Sequence, residues 1–181
     1  MKKEEGMLRL FFEEPTKYWH FEKIIKAAQI SRPQAAYWLK KFTKDKTIKK
    51  IRTKGKMPYY IGNYEHPNYR IKKRLFAMNE MANSGFLQYL MELPKTCTVI
   101  IFGSFVRADW YKESDVDLFI YGNTDNLNLG HYEKKLHREI QVFTAQTKKD
   151  LKKFGPALIQ NILKGYIVKG DLNFFEVRLY A

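Results

Sequence analysis

The sequence predicts an α+β chain in two parts, a basic helical front half carrying a short β-hairpin and a rear half built around a small sheet. Three observations predict it. Apolar residues recur at helical spacing from Phe21 onward, strand-like and helical runs alternate beyond residue 94, and positive charge is gathered before residue 70. The expected divisions are 1–64 for the front domain, 65–93 for a helical connector and 94–181 for the rear domain.

The charge is uneven. The net charge is +14 over 181 residues, and the first 70 hold 17 Lys or Arg against 7 Asp or Glu. A basic front beside a nearly balanced rear suits a polyanionic partner, although lysines also serve solubility. A single cysteine, Cys97, excludes an internal disulfide and fits a reducing compartment. The start MKKEEGMLRLFF lacks the apolar core of a secretion signal, and no run approaches the roughly 20 apolar residues that span a bilayer. A soluble, cytoplasmic protein without a membrane partner is expected.

In the front half Phe21, Ile24, Ile25 and Ala28 keep the i, i+3, i+4, i+7 spacing of an amphipathic helix. Ser31, Arg32, Pro33 and Gln34 form a capping-box signature, with Ser31 as N-cap and Pro33 tolerated in the first turn. The helix that follows turns Ala35, Leu39 and Phe42 toward a core and leaves Arg32, Gln34, Tyr37, Trp38, Lys40 and Lys41 on its other face. Two strand-like runs, 47–52 and 56–61, joined by Thr53-Lys54-Gly55, make a hairpin with a basic tip.

This order resembles the winged helix-turn-helix of small prokaryotic regulators. In such domains the second helix enters the major groove of duplex DNA and the wing touches phosphates. The resemblance implies Arg32, Gln34 and Tyr37 as candidate base readers, with Lys40, Lys41, Lys54 and Lys56 on the DNA-facing surface. Trp38 either packs or reads. The alternative is a winged helix used only for docking or dimerisation, because a fold does not fix a function.

Asn63 to Asn68 is rich in turn residues and marks the joint. Residues 69–91 then show a long helical pattern with Ile71, Leu75, Met78, Phe86 and Leu90 on one face, divisible at Asn83-Ser84-Gly85. Spare apolar surface on this connector could serve a homodimer. Beyond it, strands are expected at 98–103, 115–121 and 138–144 and helices at 127–137 and 148–164. A short last strand at Tyr166–Lys169 and a closing helix over 172–179 complete the pattern. None of the four histidines stands at metal-ligand spacing.

The chemistry concentrates in residues 99–121, VIIFGSFVRADWYKESDVDLFIY. Gly103-Ser104 ends an apolar run, and a glycine lets the backbone come close to a phosphate at such a turn. Asp115 and Asp117 lie two apart in a strand-like run, so both side chains leave one face. Carboxylates aimed together repel unless a cation intervenes, and hard oxygen ligands suit Mg2+. The bland reading makes Asp115 a turn cap and Asp117 a lysine partner, but acids on so apolar a run are costly to bury unpaired.

Gly103, Ser104, Arg107, Ser114, Asp115 and Asp117 together resemble the signature of the polymerase-β-like nucleotidyltransferase superfamily. The match is closest to its minimal prokaryotic members, with Ala108 standing where those proteins usually carry glycine. The resemblance implies a small mixed sheet, a nucleoside triphosphate substrate (ATP expected) and Mg2+ held by Asp115 and Asp117. Gly103, Ser104, Arg107 and Ser114 would hold the nucleotide, although Arg107 could equally pair with Asp109 or Glu113. It also implies a third acid on the next strand. In REIQVF the corresponding residue is Gln141, which can be neither base nor good Mg2+ ligand, while Glu139 shares its face and is the candidate catalytic substitute. Glu139 could instead be an exposed strand-end acid paired with Arg138 or a lysine.

Two functions compete on this reading. The first is a nucleotidyltransferase that moves a nucleoside monophosphate, AMP expected, to a protein or small acceptor. Relatives of this kind often act as antitoxins toward a small helical toxin. The second is a DNA-binding transcriptional regulator whose rear domain senses nucleotide without turnover. Asp115, Asp117 and Glu139 carry the first, and Gln141 favours the second.

Overall fold

Met7 and Phe11 stand one helical turn apart, and the computed structural model buries both on α1 (Lys3–Glu13), a helix the sequence pattern had not singled out. The structure describes residues 3–94, 96–125 and 127–175. Within the chain, residues up to Phe76 together with Ala108–Glu113 form one compact unit, and Ala77–Arg107 with the residues from Ser114 onward form a second.

In the first unit a two-residue strand β1 (Trp19–His20) leads into α2 (Phe21–Ala28), and α3 (Arg32–Lys44) follows after a left-handed turn at Gln29. The Ser31 hydroxyl accepts from the Gln34 amide at 3.4 Å, and the Gln34 side-chain oxygen accepts from the Ser31 amide at 3.1 Å. The expected capping box is therefore formed, and two otherwise orphaned amides are satisfied by it. Strands β2 (Ile48–Ile51) and β3 (Tyr59–Gly62) pair antiparallel, giving a three-stranded sheet in the order β1-β3-β2. Ile24, Ala35, Leu39, Phe42 and Ile48 join Met7, Phe11 and Tyr60 in the core. Trp38 stacks on Phe42 at 5.9 Å and is only partly exposed, so it packs.

The connector pattern is realised as α4 (Pro67–Asn83) and α5 (Phe86–Glu92), broken at Ser84-Gly85 as the sequence suggested. Its buried face differs from the expected one. Ile71 and Leu75 are 55% and 58% exposed, while Tyr69, Lys73, Phe76, Ala77 and Met81 are buried. The reason is polar. The last carbonyls of α1 need donors, and Tyr69 supplies its hydroxyl to the Phe11 carbonyl at 2.8 Å while Lys73 supplies its ammonium to Phe12 at 2.7 Å. Burial pushes the Tyr69 phenol pKa upward.

Trp110 completes this unit. It is fully buried, lies against Phe12 and Phe76 with ring centroids 6.3 and 6.2 Å away, and takes the Lys73 ammonium over its ring at 4.5 Å.

The second unit is built on a four-stranded mixed sheet, order β6-β5-β4-β7. The strands are β4 (Thr96–Phe102), β5 (Val116–Gly122), β6 (Ile140–Ala145) and β7 (Tyr166–Lys169). β4 is antiparallel to β5 and β7, and β6 is parallel to β5. The two central strands bury Val99, Ile100, Ile101, Leu118, Phe119 and Ile120 completely, as strands covered on both faces must. Helices α6 (Ser104–Arg107), α7 (Gly130–Leu136) and α8 (Pro156–Leu163) connect them.

The run expected to be one helix over 148–164 is split at Gly155-Pro156, where Pro156 starts α8 and a single 3-10 turn (Asp150–Lys153) precedes it. Of the expected closing helix, residues 172–175 form a turn and 176–179 lie outside the described residues. No helix among the described residues is long and apolar enough to cross a membrane.

Replacing Trp110 with alanine removes a fully buried indole and uncovers the Lys73 charge it shelters. Trp110→Ala is expected to lower unfolding stability by about 3–5 kcal/mol, read from urea denaturation midpoints.

Candidate active site

β4 ends where its apolar run ends, and Gly103 turns the chain with φ +73°. A side chain here would be excluded twice over. The left-handed backbone disfavours one, and an added Cβ would stand 1.9 Å from Oδ2 of Asp117. α6 follows as a single turn, its last residue donating the Arg107 amide to the Gly103 carbonyl at 3.1 Å. Ala108 then takes φ +62°, a left-handed conformation that favours glycine.

Asp117 is held from both sides by the sheet. Its neighbour on antiparallel β4 is Phe102 and its neighbour on parallel β6 is Gln141. Asp115 lies just before β5 begins and is exposed, whereas Asp117 is half-buried. Burial raises the proton affinity of Asp117, the nearby Asp115 charge raises it further, and the Arg107 guanidinium partly offsets both. The Gly103 turn, Arg107, Asp115 and Asp117 are thus gathered at one end of the central strand pair.

The remaining expected site residues are placed less centrally. Ser104 is half-buried at the start of α6. Ser114 contributes its carbonyl to a hydrogen bond from Nη1 of Arg138 at 2.9 Å. Glu139 is exposed, and its carbonyl accepts the Val116 amide at 2.9 Å, which sets it beside the residue before β5. Among the described residues no three His, Cys, Asp or Glu are grouped so that they could hold a metal ion. The two aspartates are the hard-oxygen pair present, and a cation between them would relieve their mutual repulsion.

Arg138 is the residue that sequence reasoning undervalued. It is 9% exposed, with its guanidinium 5.1 Å over the Phe105 ring. Its amide donates to the Glu133 carbonyl at 3.1 Å, and the Glu133 side chain accepts the Ile140 amide at 3.1 Å. An arginine next to a strand start gives no sequence signal of burial, so nothing in the pattern could have found it.

The front-half candidates sit on and beside α3. Arg32 pairs with Glu22 at 2.5 Å, Gln34 is engaged in its cap, Tyr37 is 62% exposed and Lys41 reaches Glu4 at 3.1 Å. Lys40, Lys54 and Lys56 are exposed, the last two in the β2–β3 loop, where Gly55 takes φ +74°.

Residues 86–170 match the family described as "Polymerase beta, Nucleotidyltransferase". That stretch is a polymerase-β-like nucleotidyltransferase domain, and it contains the Gly103 turn and both aspartates. A comparison with curated proteins returned no match.

The raised pKa of Asp117 has a definite sign. A carboxyl whose folded pKa exceeds its unfolded value favours folding when protonated, and that contribution is lost as pH rises through the folded pKa. Asp117→Asn is therefore expected to melt at a higher temperature than the wild type at pH 7 in EDTA. The gain should vanish below about pH 3, where both states of the wild-type carboxyl are protonated. Thermal melts across pH check this, and Mg2+ should narrow the difference at pH 7 by favouring the ionised wild type.

Proposed function

We propose that the rear unit is a Mg2+-dependent nucleotidyltransferase. It transfers a nucleoside monophosphate, AMP expected, from a nucleoside triphosphate to a hydroxyl on a protein or small acceptor. The observation that carries this reading is the closure of Gly103 onto Asp117, with Asp115 and Arg107 in its field. Two carboxylates at the mouth of a backbone turn, with the proton affinity of Asp117 raised by burial and by the Asp115 charge, are a donor set suited to a hard divalent cation. Mg2+ bound by Asp115 and Asp117 would supply neutralising charge for the triphosphate.

The chain's own groups divide the rest of the task. Ser104 and the amides after Gly103 face the β and γ phosphates, and Arg107 adds a charge-assisted contact. Ser114 supports the approach of Asp115. The acceptor oxygen forms its bond to the α-phosphorus as the bond to pyrophosphate breaks. Glu139, one strand position before the Val116–Ile140 pair, is the candidate to take the acceptor proton. Gln141, in register with Asp117, cannot.

The front unit completes the proposal as a winged helix-turn-helix on duplex DNA. Its support is the order α2, α3, β2, β3 with exposed Tyr37, Lys40, Lys54 and Lys56. Arg32 adds a further contact once released from Glu22, while the carbonyl of Gln34 already serves the helix cap. A small helical toxin as partner, and hence an antitoxin role, rests on the resemblance alone. Ile71 and Leu75 offer apolar surface to a second copy. One observation favours the other reading, a nucleotide-sensing regulator without turnover: the neutral amide of Gln141 stands beside Asp117 on the neighbouring strand.

Incubation with Mg2+ and α-labelled ATP, alone and with candidate acceptors, is expected to label an acceptor. Asp115→Ala/Asp117→Ala should abolish both labelling and Mg2+-dependent binding. Gln141→Asp should raise the labelling rate, by about 10²-fold where proton transfer limits it. Binding without labelling, in the wild type and in Gln141→Asp, would favour the sensor.

For the front unit, affinity for duplex DNA is expected to fall steeply with salt. Lys54→Ala/Lys56→Ala should reduce the slope of log K against log salt by about 2. Binding that ignores salt would remove the DNA reading.

A further inference from the structure

We propose that Arg138 is a positioning residue for the nucleotide site, setting the Gly103–Ser104 turn and Asp115 at a working separation. The inference deepens the reading of the rear unit as a nucleotide-binding site and rests on it. One side chain touches both ends of the motif. Its guanidinium lies 5.1 Å over Phe105, the residue after Ser104, and its Nη1 donates at 2.9 Å to the carbonyl of Ser114, the residue before Asp115.

The two aspartates differ in how they are fixed. Asp117 is inside β5, with strand neighbours on both sides, whereas Asp115 precedes the first residue of that strand. The Val116 amide bond to the Glu139 carbonyl is the ladder's nearest grip on it. Between Phe105 and Ser114 the chain runs through a loop, so the strands alone do not set where Asp115 stands relative to the turn. Arg138 does so from outside the loop, since its own backbone is pinned by the Glu133 carbonyl and adjoins β6.

The chemistry asks for arginine. A planar guanidinium can lie on an aromatic face while donating in its plane to a carbonyl, and its rigid fork fixes the spacing of the two contacts in a way that a flexible lysine stem does not. Burial of this charged group to 9% exposure is sustained by directed partners rather than by solvent. Loss of the side chain should therefore move Asp115 and leave Asp117 in place.

The test uses the full chain with Arg138→Met and Arg138→Lys, and Ile162→Val as a core variant that lowers stability without approaching the motif. Amide hydrogen exchange is read residue by residue, and the Mg2+ dependence of ATP binding is titrated. Arg138→Met is expected to speed exchange at 114–116 about tenfold or more relative to 118–120, and to raise the Mg2+ needed for half-saturation about tenfold. Arg138→Lys should fall between, and Ile162→Val should do neither. If Arg138→Met does not fold, Arg138→Lys against Ile162→Val decides the same comparison.

Exchange at 114–116 that changes no more than in Ile162→Val would overturn the proposal, whatever the nucleotide does. Altered exchange with an unmoved Mg2+ requirement would reduce Arg138 to a structural residue and overturn it too. A wild type that binds no Mg2+–ATP would instead bring down the functional reading, and with it this one.

Discussion

The rear unit depends on one close approach, the carboxylate of Asp117 laid against the backbone of Gly103. No other residue type would fit, because the same spot has a left-handed φ and no room for a Cβ. The approach is possible because β4 and β5 are direct neighbours with Phe102 opposite Asp117, so the turn leaving one strand meets the acid entering the other. The strands are held in that register by side chains buried to the last atom, each worth about 1.5–3 kcal/mol. A one-residue slip would send Asp117 to the opposite face and bring an apolar neighbour to the turn. Packing of the sheet and placement of the acid are one constraint.

Local features of the molecule were legible in its sequence. The capping box of α3 was readable because its partners lie three residues apart and meet whenever the helix forms. The break at Ser84-Gly85 and the strand–turn–strand around Gly103 were readable for the same reason. Features that depend on distant chain were not. The buried face of α4 is chosen by the carbonyls of Phe11 and Phe12, some 60 positions earlier, which outweigh the apolar stripe of Ile71 and Leu75. α1 escaped notice because its first turn is charged and its apolar residues find their partners on α2 and later elements. Arg138 escaped because burial of a charge leaves no periodic trace.

Net charge and available charge differ in the front unit. A basic half was evident from counting, but the structure divides those charges into groups with different occupations. Lys41 and Arg32 are engaged with Glu4 and Glu22, exposed pairs of the kind worth at most about 1 kcal/mol and easily exchanged for phosphate. Lys73, three residues past that stretch, is buried among Phe12, Tyr69 and Trp110 and belongs to the core. The hairpin lysines Lys54 and Lys56 stand in solvent beside a glycine turn. The hairpin and the outer face of α3 thus carry exposed charge, as do Lys23 and Lys26 on α2, while part of the counted charge is already engaged.

Gln141 bears on the chemistry through the same electrostatics that govern Asp117. Asp117 already holds its proton more tightly because it is half-buried and faces Asp115, with Arg107 giving partial relief. A third carboxylate at Gln141, directly across from Asp117 on β6, would add a second like charge at strand-neighbour distance. The cost would fall on every state of the protein in which no cation is bound. An amide at that position avoids the repulsion, but it offers no base. An amide at 141 therefore favours the protein without a bound cation. In the proposed reaction the base would come from Glu139 or from the acceptor itself, and Gln141 would bear on its rate rather than on the binding of nucleotide.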